Sequence, residues 1–141
     1  MEIIKKIKEY FKNSDYLFVL IFGSYAKNDF TNLSDIDIGI YFKDNPNYKE
    51  IGYHSLKLEE LLNKKIDLIA LNDIYKKNPL FSFEILKNHM PIIINNQEEF
   101  INFKTKCQLY YLDAKPLIEQ NLFALKQRIK NKKFGERNFV I

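Results

Sequence analysis

Three aspartates have the side chains and the spacing that metal-dependent chemistry needs. Asp35 and Asp37 are separated by one residue in a segment that alternates with isoleucine. Because side chains of a strand alternate between its two faces, both carboxylates are expected on one face. Asp67 lies in a second apolar segment and would join them if the two segments are neighbouring strands. Magnesium prefers carboxylate and phosphate oxygens, and two such ions clamp the attacking and leaving oxygens of a phosphoryl transfer.

A glycine–serine pair precedes the first aspartate, with ten residues between Ser24 and Asp35. Gly23 lets the backbone approach a phosphate closely, since glycine has no Cβ atom. The Ser24 hydroxyl and backbone N–H groups at a helix start are suited to holding a triphosphate tail. The pair therefore predicts a phosphate-binding turn beside the carboxylates.

The two closely spaced aspartates also have an interpretation without chemistry. Asp35 would then cap a turn, and Asp37 would be an exposed residue of an edge strand. The surrounding segment is otherwise made of isoleucine and aromatic residues, where an unpaired carboxylate would cost on the order of several kcal/mol. Together with the glycine–serine pair and Asp67, the pattern favours a catalytic site.

The apolar pattern predicts the elements that would position these residues. Helical spacing predicts an amphipathic helix over the first dozen residues, ending near residue 13 or 14. Apolar runs, continuous or alternating, predict four strands, at residues 16–22, 36–42, 66–71 and 91–94. Further helices are predicted around residues 56–62, 81–86 and 100–110.

Length and composition limit the architecture. With 141 residues, of which 46% are hydrophobic and 15% aromatic, the chain can bury one core. We expect an α/β (α+β) fold in a single domain over residues 1–141, with a small mixed sheet of three to four strands flanked by helices. The core would span about residues 15–95, and C-terminal helices about residues 97–133.

Several functional classes are excluded by composition. Cys107 is the only cysteine, and His54 and His89 are the only histidines, which excludes an internal disulfide and a zinc cluster. A metal would therefore be held by oxygen. No apolar run approaches the roughly 20 residues that span a bilayer, and the start lacks a cleavable signal pattern. We expect a cytoplasmic protein that does not contact membranes.

The C-terminal part leaves two interpretations open. Asp113 is predicted to cap a last helix with Pro116 in its first turn. An apolar stripe follows, at Ile118, Leu122, Leu125 and Ile129. The net charge of +4 is concentrated there, in Lys126, Arg128, Lys130, Lys132, Lys133 and Arg137. These residues form either a solvated helix face or a surface for an anionic partner, RNA or an acidic protein.

Other residues carry weaker signals. His54 and His89 have no neighbouring carboxylate or serine that suggests a catalytic triad, so both are expected to be structural or exposed. Tyr25 and Tyr41 are the tyrosines near the motif that would stack an adenine.

Two short segments carry a family resemblance: residues 23–27, GSYAK, and residues 34–38, SDIDI. They resemble the signature of the DNA polymerase beta-like nucleotidyltransferase superfamily, over residues 15–71. The short length and the helical ending resemble the MNT-type minimal nucleotidyltransferases. These are similar to the MntA-like antitoxins that are paired with HEPN-domain ribonuclease toxins. The resemblance implies the nucleotidyltransferase fold.

The resemblance also implies roles for single residues. Asp35 and Asp37 would bind magnesium, and Asp67 would be the third carboxylate, with Asp73 as a substitute. Gly23 and Ser24 would contact the nucleotide phosphates.

This chain departs from the family's pattern at one point. Lys27 and Asn28 stand where relatives usually carry an Arg–Gly pair. Lys27 still offers a positive charge to a nucleotide, without the bidentate fork of arginine.

The implied activity is AMP transfer from ATP, with two magnesium ions, to a tyrosine hydroxyl of a HEPN ribonuclease toxin, which silences the toxin. Two alternatives remain: transfer to a hydroxyl of a small molecule, and neutralisation of the toxin by docking without catalysis. Direct binding of nucleic acid would involve the basic C-terminal end.

Overall fold

The computed structural model describes residues 2–27 and 34–132, with the side chains of Asn131 and Lys132 excepted. The strands in this part of the chain are β1 (Phe18–Phe22), β2 (Ile36–Tyr41), β3 (Ile66–Ala70) and β4 (His89–Ile94). The helices are α1 (Glu2–Phe11), α2 (Ser24–Lys27), α3 (Tyr48–Leu62), α4 (Ile74–Lys77), α5 (Pro79–Lys87) and α6 (Gln97–Lys132).

The strands of the described residues form one mixed sheet in the order β3-β2-β1-β4. β1 pairs antiparallel with both β2 and β4, whereas β2 and β3 are parallel. The parallel pair needs a crossover, which α3 provides. Asn47 caps that helix, accepting hydrogen bonds from the backbone N–H groups of Lys49 and Glu50. The predicted mixed α/β architecture is therefore confirmed.

Helices cover both faces of the sheet. On one face α1 and α3 pack on the isoleucines of β2, including Ile36 and Ile38, and on Val19 and Ile21 of β1. On the other face α4, α5 and the first half of α6 pack on the alternate residues of β1, such as Phe18 and Leu20. The strands are therefore apolar on both faces, except where Asp37 and Asp67 replace core residues on the second face.

The structure corrects the prediction for the C-terminal part. We expected Asp113 to cap a new helix, but α6 runs without interruption from Gln97 to Lys132 with Pro116 in its interior. Proline removes one backbone N–H donor and so leaves the carbonyl of Leu112 without its helical partner. Leu112 is exposed, so water can hydrate that carbonyl, and the helix continues.

The helix start expected at Ser24 is observed as the short helix α2, whereas α4 was not predicted, because four residues are too few to show a helical period. Within the described ranges, no helix is both long enough and apolar enough to cross a membrane. The segment 28–33, Lys133 and Arg137 lie outside the described residues.

Candidate active site

Asp37 and Asp67 lie directly opposite each other on neighbouring strands. The parallel register of β2 and β3 pairs Ile36 with Ile66 and Asp37 with Asp67. Paired residues of adjacent strands point to the same face, so the two carboxyl groups meet on the face that α5 covers. The two side chains are close enough for a hydrogen bond with Asp67 to contribute to the raised pKa of Asp37.

Side chains of α3 fix the beginning of β3, next to Asp67. The backbone N–H of Ile66 donates to Glu59 Oε2 at 3.2 Å, and the Ser55 hydroxyl donates to the Ile66 carbonyl at 3.3 Å. The Ile36 N–H also donates to the Lys65 carbonyl at 3.0 Å. These bonds set the register, which matters because a slip of one residue would turn Asp67 to the opposite face.

Gly23 connects the end of β1 to α2 and lies against Asp37. Its φ of 74° is in the left-handed region, which favours glycine. Its carbonyl accepts hydrogen bonds from the N–H groups of Ala26 and Lys27, both at 3.1 Å, so the chain turns directly into α2. Ser24 is the first residue of that helix and is partly buried.

A cavity of about 210 Å³ opens between the acidic end of the sheet and α5. Its sheet side contains four of the residues that the sequence pattern singled out: Gly23, Lys27, Asp37 and Asp67. Apolar side chains of the sheet, Phe22 and Ile69, continue this surface; the opposite wall is formed by Phe81, Glu84, Ile85 and Asn88. The cavity therefore combines carboxylates, one ammonium group and apolar surface.

The proton affinity of Asp37 is raised in this arrangement. Burial, then the negative charges of Asp67 and Asp35, then the hydrogen bond with Asp67 raise the pKa of Asp37 from 3.8 to about 6. A carboxylate that is held among other carboxylates is stabilised by a bound cation or a proton. The structure thus has unbalanced negative charge at one end of the cavity.

The donor set fits magnesium when substrate oxygens complete it. Among the described residues, no group of three or more His, Cys, Asp or Glu side chains is gathered closely enough to hold a metal ion. Magnesium is usually bound by one or two carboxylates together with waters and substrate phosphates. Asp37 and Asp67 meet this requirement, with Asp35 exposed at the entrance to β2 and close enough to act on the pKa of Asp37.

Other candidates from the sequence lie elsewhere. Asp73, the possible substitute for Asp67, lies beyond the far end of β3 beside a different depression, which Tyr41 also lines. Tyr41 stacks on Phe18, with ring centroids 4.8 Å apart, and Tyr25 is 3% exposed. Tyr25 is buried, Tyr41 is partly buried, and neither lines the cavity with Asp37, so the interpretation of either as an adenine platform at this site is wrong.

The histidines are structural, as predicted. His54 Nδ1 is 2.7 Å from the Tyr10 hydroxyl, and His54 Nε2 is 2.7 Å from the Tyr16 hydroxyl. Burial lowers the pKa of His54. His89 Nδ1 is 2.9 Å from the carbonyl oxygen of Leu86. Neither histidine lines the cavity.

The α5 wall was missed by sequence reasoning. Phe81, Glu84, Ile85 and Asn88 have the spacing i, i+3, i+4 and i+7, which places them on one face of a helix. The sequence shows this spacing, but the spacing indicates only that one face of the helix packs against other residues. Nothing in the pattern says that the face lines a cavity with Asp37.

The chain is similar to known proteins over much of its length. Residues 5–99 match the family profile described as "Polymerase beta, Nucleotidyltransferase". "Putative protein adenylyltransferase MJ1547" of Methanocaldococcus jannaschii is 35% identical over 106 residues, which are 74% of this chain and 77% of the relative. "Putative protein adenylyltransferase MJ1215" of the same organism is 40% identical over 74 residues, 52% of this chain and 86% of the relative.

Solved structures share the fold at lower identity. A crystal structure described as "the toxin-antitoxin with AMP-PNP" has a chain with a TM-score of 0.58 and 19% identity, covering 94% of this chain and 98% of that one. A structure of "tri-AMPylated Shewanella oneidensis HEPN toxin in complex with MNT antitoxin" has a TM-score of 0.57 and 18% identity, with coverages of 95% and 98%. At these identities the likeness supports the fold alone.

Proposed function

This chain belongs to the polymerase beta nucleotidyltransferase family, and from that premise we propose that it transfers AMP from ATP to a tyrosine hydroxyl of a HEPN-type toxin, acting as the antitoxin. Relatives named as putative protein adenylyltransferases support a protein acceptor. The similarity extends over 77% of the length of one and 86% of another, so it includes most of each relative. The toxin–antitoxin complexes that share the fold support a toxin as that acceptor.

One observation carries the proposal: Asp37 and Asp67 face each other in register, in the same cavity as Gly23 and Lys27. Gly23 allows the backbone to approach phosphate oxygens, and the Ser24 hydroxyl and Lys27 ammonium would neutralise the triphosphate. Asp35, Asp37 and Asp67 would hold two magnesium ions jointly with the phosphate oxygens of ATP, since the carboxylates of the described residues alone are not gathered closely enough to form a metal site. Bound magnesium supplies charge neutralisation on the phosphate oxygens.

The reaction needs positioning more than covalent participation by the protein. The acceptor phenol oxygen forms a bond to the α-phosphorus of ATP, and the bond between that phosphorus and the oxygen bridging to the β-phosphate breaks. Pyrophosphate leaves, and the phenol proton passes to a carboxylate. Asp67 suits this role because it lies on β3, the edge strand, where another protein can approach.

The test uses the full chain, ATP, magnesium and the protein encoded by the adjacent gene. Intact mass spectrometry of that partner should show one or more AMP-sized gains. Asp37→Asn should abolish them, since the amide cannot serve as an anionic ligand. The matched control is Asp44→Asn, an exposed aspartate at the other end of β2, which should leave the gain unchanged.

Two outcomes would contradict the proposal. If wild type and Asp37→Asn neutralise the partner equally without any gain in mass, neutralisation occurs by docking. If AMP is transferred to a small-molecule hydroxyl while the partner stays unmodified, the acceptor class is wrong.

A further inference from the structure

The α5 wall of the cavity has no role in the chemistry described so far. Four side chains, at Phe81, Glu84, Ile85 and Asn88, form a continuous helical face that spans about 10 Å along the helix axis. This face lies opposite the carboxylates, on the same cavity. It therefore lies within reach of a nucleotide whose phosphates occupy the sheet side.

The apolar part of this wall is built around an exposed ring. Phe81 is 37% exposed, although its ring packs edge-on against Phe22 at 5.9 Å between centroids. Ile85 is fully buried behind it, and Ile69 faces it from β3. A planar aromatic ligand in the cavity that packs on the exposed part of Phe81 would cover surface that water now contacts.

The polar part of the wall offers hydrogen bonds to such a ligand. Asn88 follows the last residue of α5, its backbone N–H donates to the carbonyls of Glu84 and Ile85, and the residue lines the cavity. An amide both donates and accepts, as the edge of adenine does. Glu84 only accepts hydrogen bonds, which suits ribose hydroxyls, and its 3.3 Å ion pair with Lys87 offsets its charge.

The geometry of the reaction assigns the cavity to the donor nucleoside and not to the acceptor. The attacking and leaving oxygens are roughly in line at the α-phosphorus. If the triphosphate lies beside Gly23 and α2, as the proposed function has it, pyrophosphate leaves toward them, and the acceptor enters from the opposite side, at the edge strand β3. The nucleoside then projects across the face of the sheet, toward α5.

We propose that the cavity wall on α5 is the nucleobase subsite, in which Phe81 packs on the base and the side-chain amide of Asn88 selects adenine. This inference rests on the proposed function, because it takes the phosphates to lie beside Asp37 and Asp67. It adds the residues that determine which nucleotide is used. Phe81 and Asn88 act on binding and base selection, and they do not take part in the proton transfer.

The test measures Kd values of the full chain for the magnesium complexes of ATP, UTP and inorganic triphosphate. Phe81→Ala should raise the Kd for ATP about tenfold, since stacking of a base on an aromatic ring is lost. It should leave the Kd for triphosphate unchanged, which also shows that the variant is folded. Asn88→Ala should reduce the preference for ATP over UTP about tenfold, and again leave triphosphate binding unchanged.

The matched control is Leu80→Ala, a truncation of the preceding residue of α5. Leu80 is 41% exposed and does not line the cavity, so no Kd should change. The subsite is wrong, with the proposed function intact, if wild type binds triphosphate as tightly as ATP. It is equally wrong if Phe81→Ala raises the KM for the acceptor protein and not the Kd for ATP. If wild type binds no nucleotide, the proposed function fails as well.

Discussion

A Cβ atom on Gly23 would overlap the Oδ2 atom of Asp37, which lies on the neighbouring strand. The glycine at the end of β1 and the carboxylate on β2 are therefore packed without space for any side chain between them. The turn and the carboxylate to which the proposed function assigns phosphate and metal binding are thus in direct contact, and a side chain at position 23 would displace the Asp37 carboxylate.

Gly23→Ala should impair the reaction far more than it impairs folding. The new methyl group would push the Asp37 carboxylate aside, and alanine at a φ of 74° is strained by about 1 to 2 kcal/mol. A displacement of this size at a reacting centre lowers the rate about 100-fold. AMP transfer and urea unfolding would measure the two effects.

The control for that variant is Gly52→Ala in α3. A Cβ atom there meets nothing within 4 Å, and alanine is the better helix former. Its transfer rate should match wild type, with unfolding free energy raised by about 0.5 to 1 kcal/mol. Equal transfer rates for Gly23→Ala and Gly52→Ala would show that the contact with Asp37 has no part in catalysis.

Asp67→Asn should lower the transfer rate about 100- to 1000-fold, because the amide neither accepts the proton nor carries charge. Asp73→Asn is its matched control. Asp73 has a φ of 59°, a left-handed conformation that asparagine tolerates, and its side chain makes no capping hydrogen bond in α4. Single-turnover assays of both variants would identify the third carboxylate. A larger loss with Asp73→Asn would exclude Asp67.

Stability should depend on pH through Asp37. Its pKa of about 6 in the folded protein exceeds the ordinary 3.8, so the folded state holds this proton more tightly than the unfolded chain does. This tighter proton binding stabilises the folded protein fully below pH 3.8, and the stabilisation is lost as the pH rises through about 6. Asp37→Asn removes the repulsion, and its Tm at pH 8 should exceed that of wild type by about 3 to 5 °C.

That difference in Tm should shrink toward zero as pH approaches 4, because wild-type Asp37 is then protonated. Magnesium at pH 8 should raise the Tm of wild type and not that of Asp37→Asn, since binding to the folded state alone stabilises it. Thermal scans at several pH values would check both effects. A Tm difference that is independent of pH would contradict the electrostatic origin.

Pro116→Ala should stabilise the second half of α6 locally. The variant restores an N–H donor for the Leu112 carbonyl, and alanine is about 3 kcal/mol more favourable than proline within a helix. Residues 119–130 are exposed, so the global Tm should change by less than about 2 °C. Hydrogen exchange would measure the gain as slower exchange of the amides around position 116. Unchanged exchange would show that Pro116 leaves the helix unperturbed.

Much of the fold was predictable because its signals are local. The alternation around Asp35 and Asp37 predicted β2, in which Asp37 lies, and the apolar runs predicted the other three strands. The Gly23–Ser24 turn was predictable because glycine adopts positive φ values, which other residues disfavour, and such a conformation lets the chain turn from a strand into a helix. The course of α6 through Pro116 was mispredicted, since proline usually ends a helix unless water can hydrate the freed carbonyl.

The sequence by itself determined the types of side chain at the candidate site and their order along the chain, because strand period and glycine conformation act over a few residues. Only the tertiary structure decided that Asp67 pairs with Asp37, since the register of β2 and β3 depends on bonds from α3 to Ile66. It also decided that Tyr25 is buried, that Tyr41 lines a different depression, and that Phe81 and Asn88 line the cavity. The spacing of residues within a helix indicates which face packs on the rest of the protein. The residues that lie opposite that face come from distant parts of the chain, so the local sequence does not identify them.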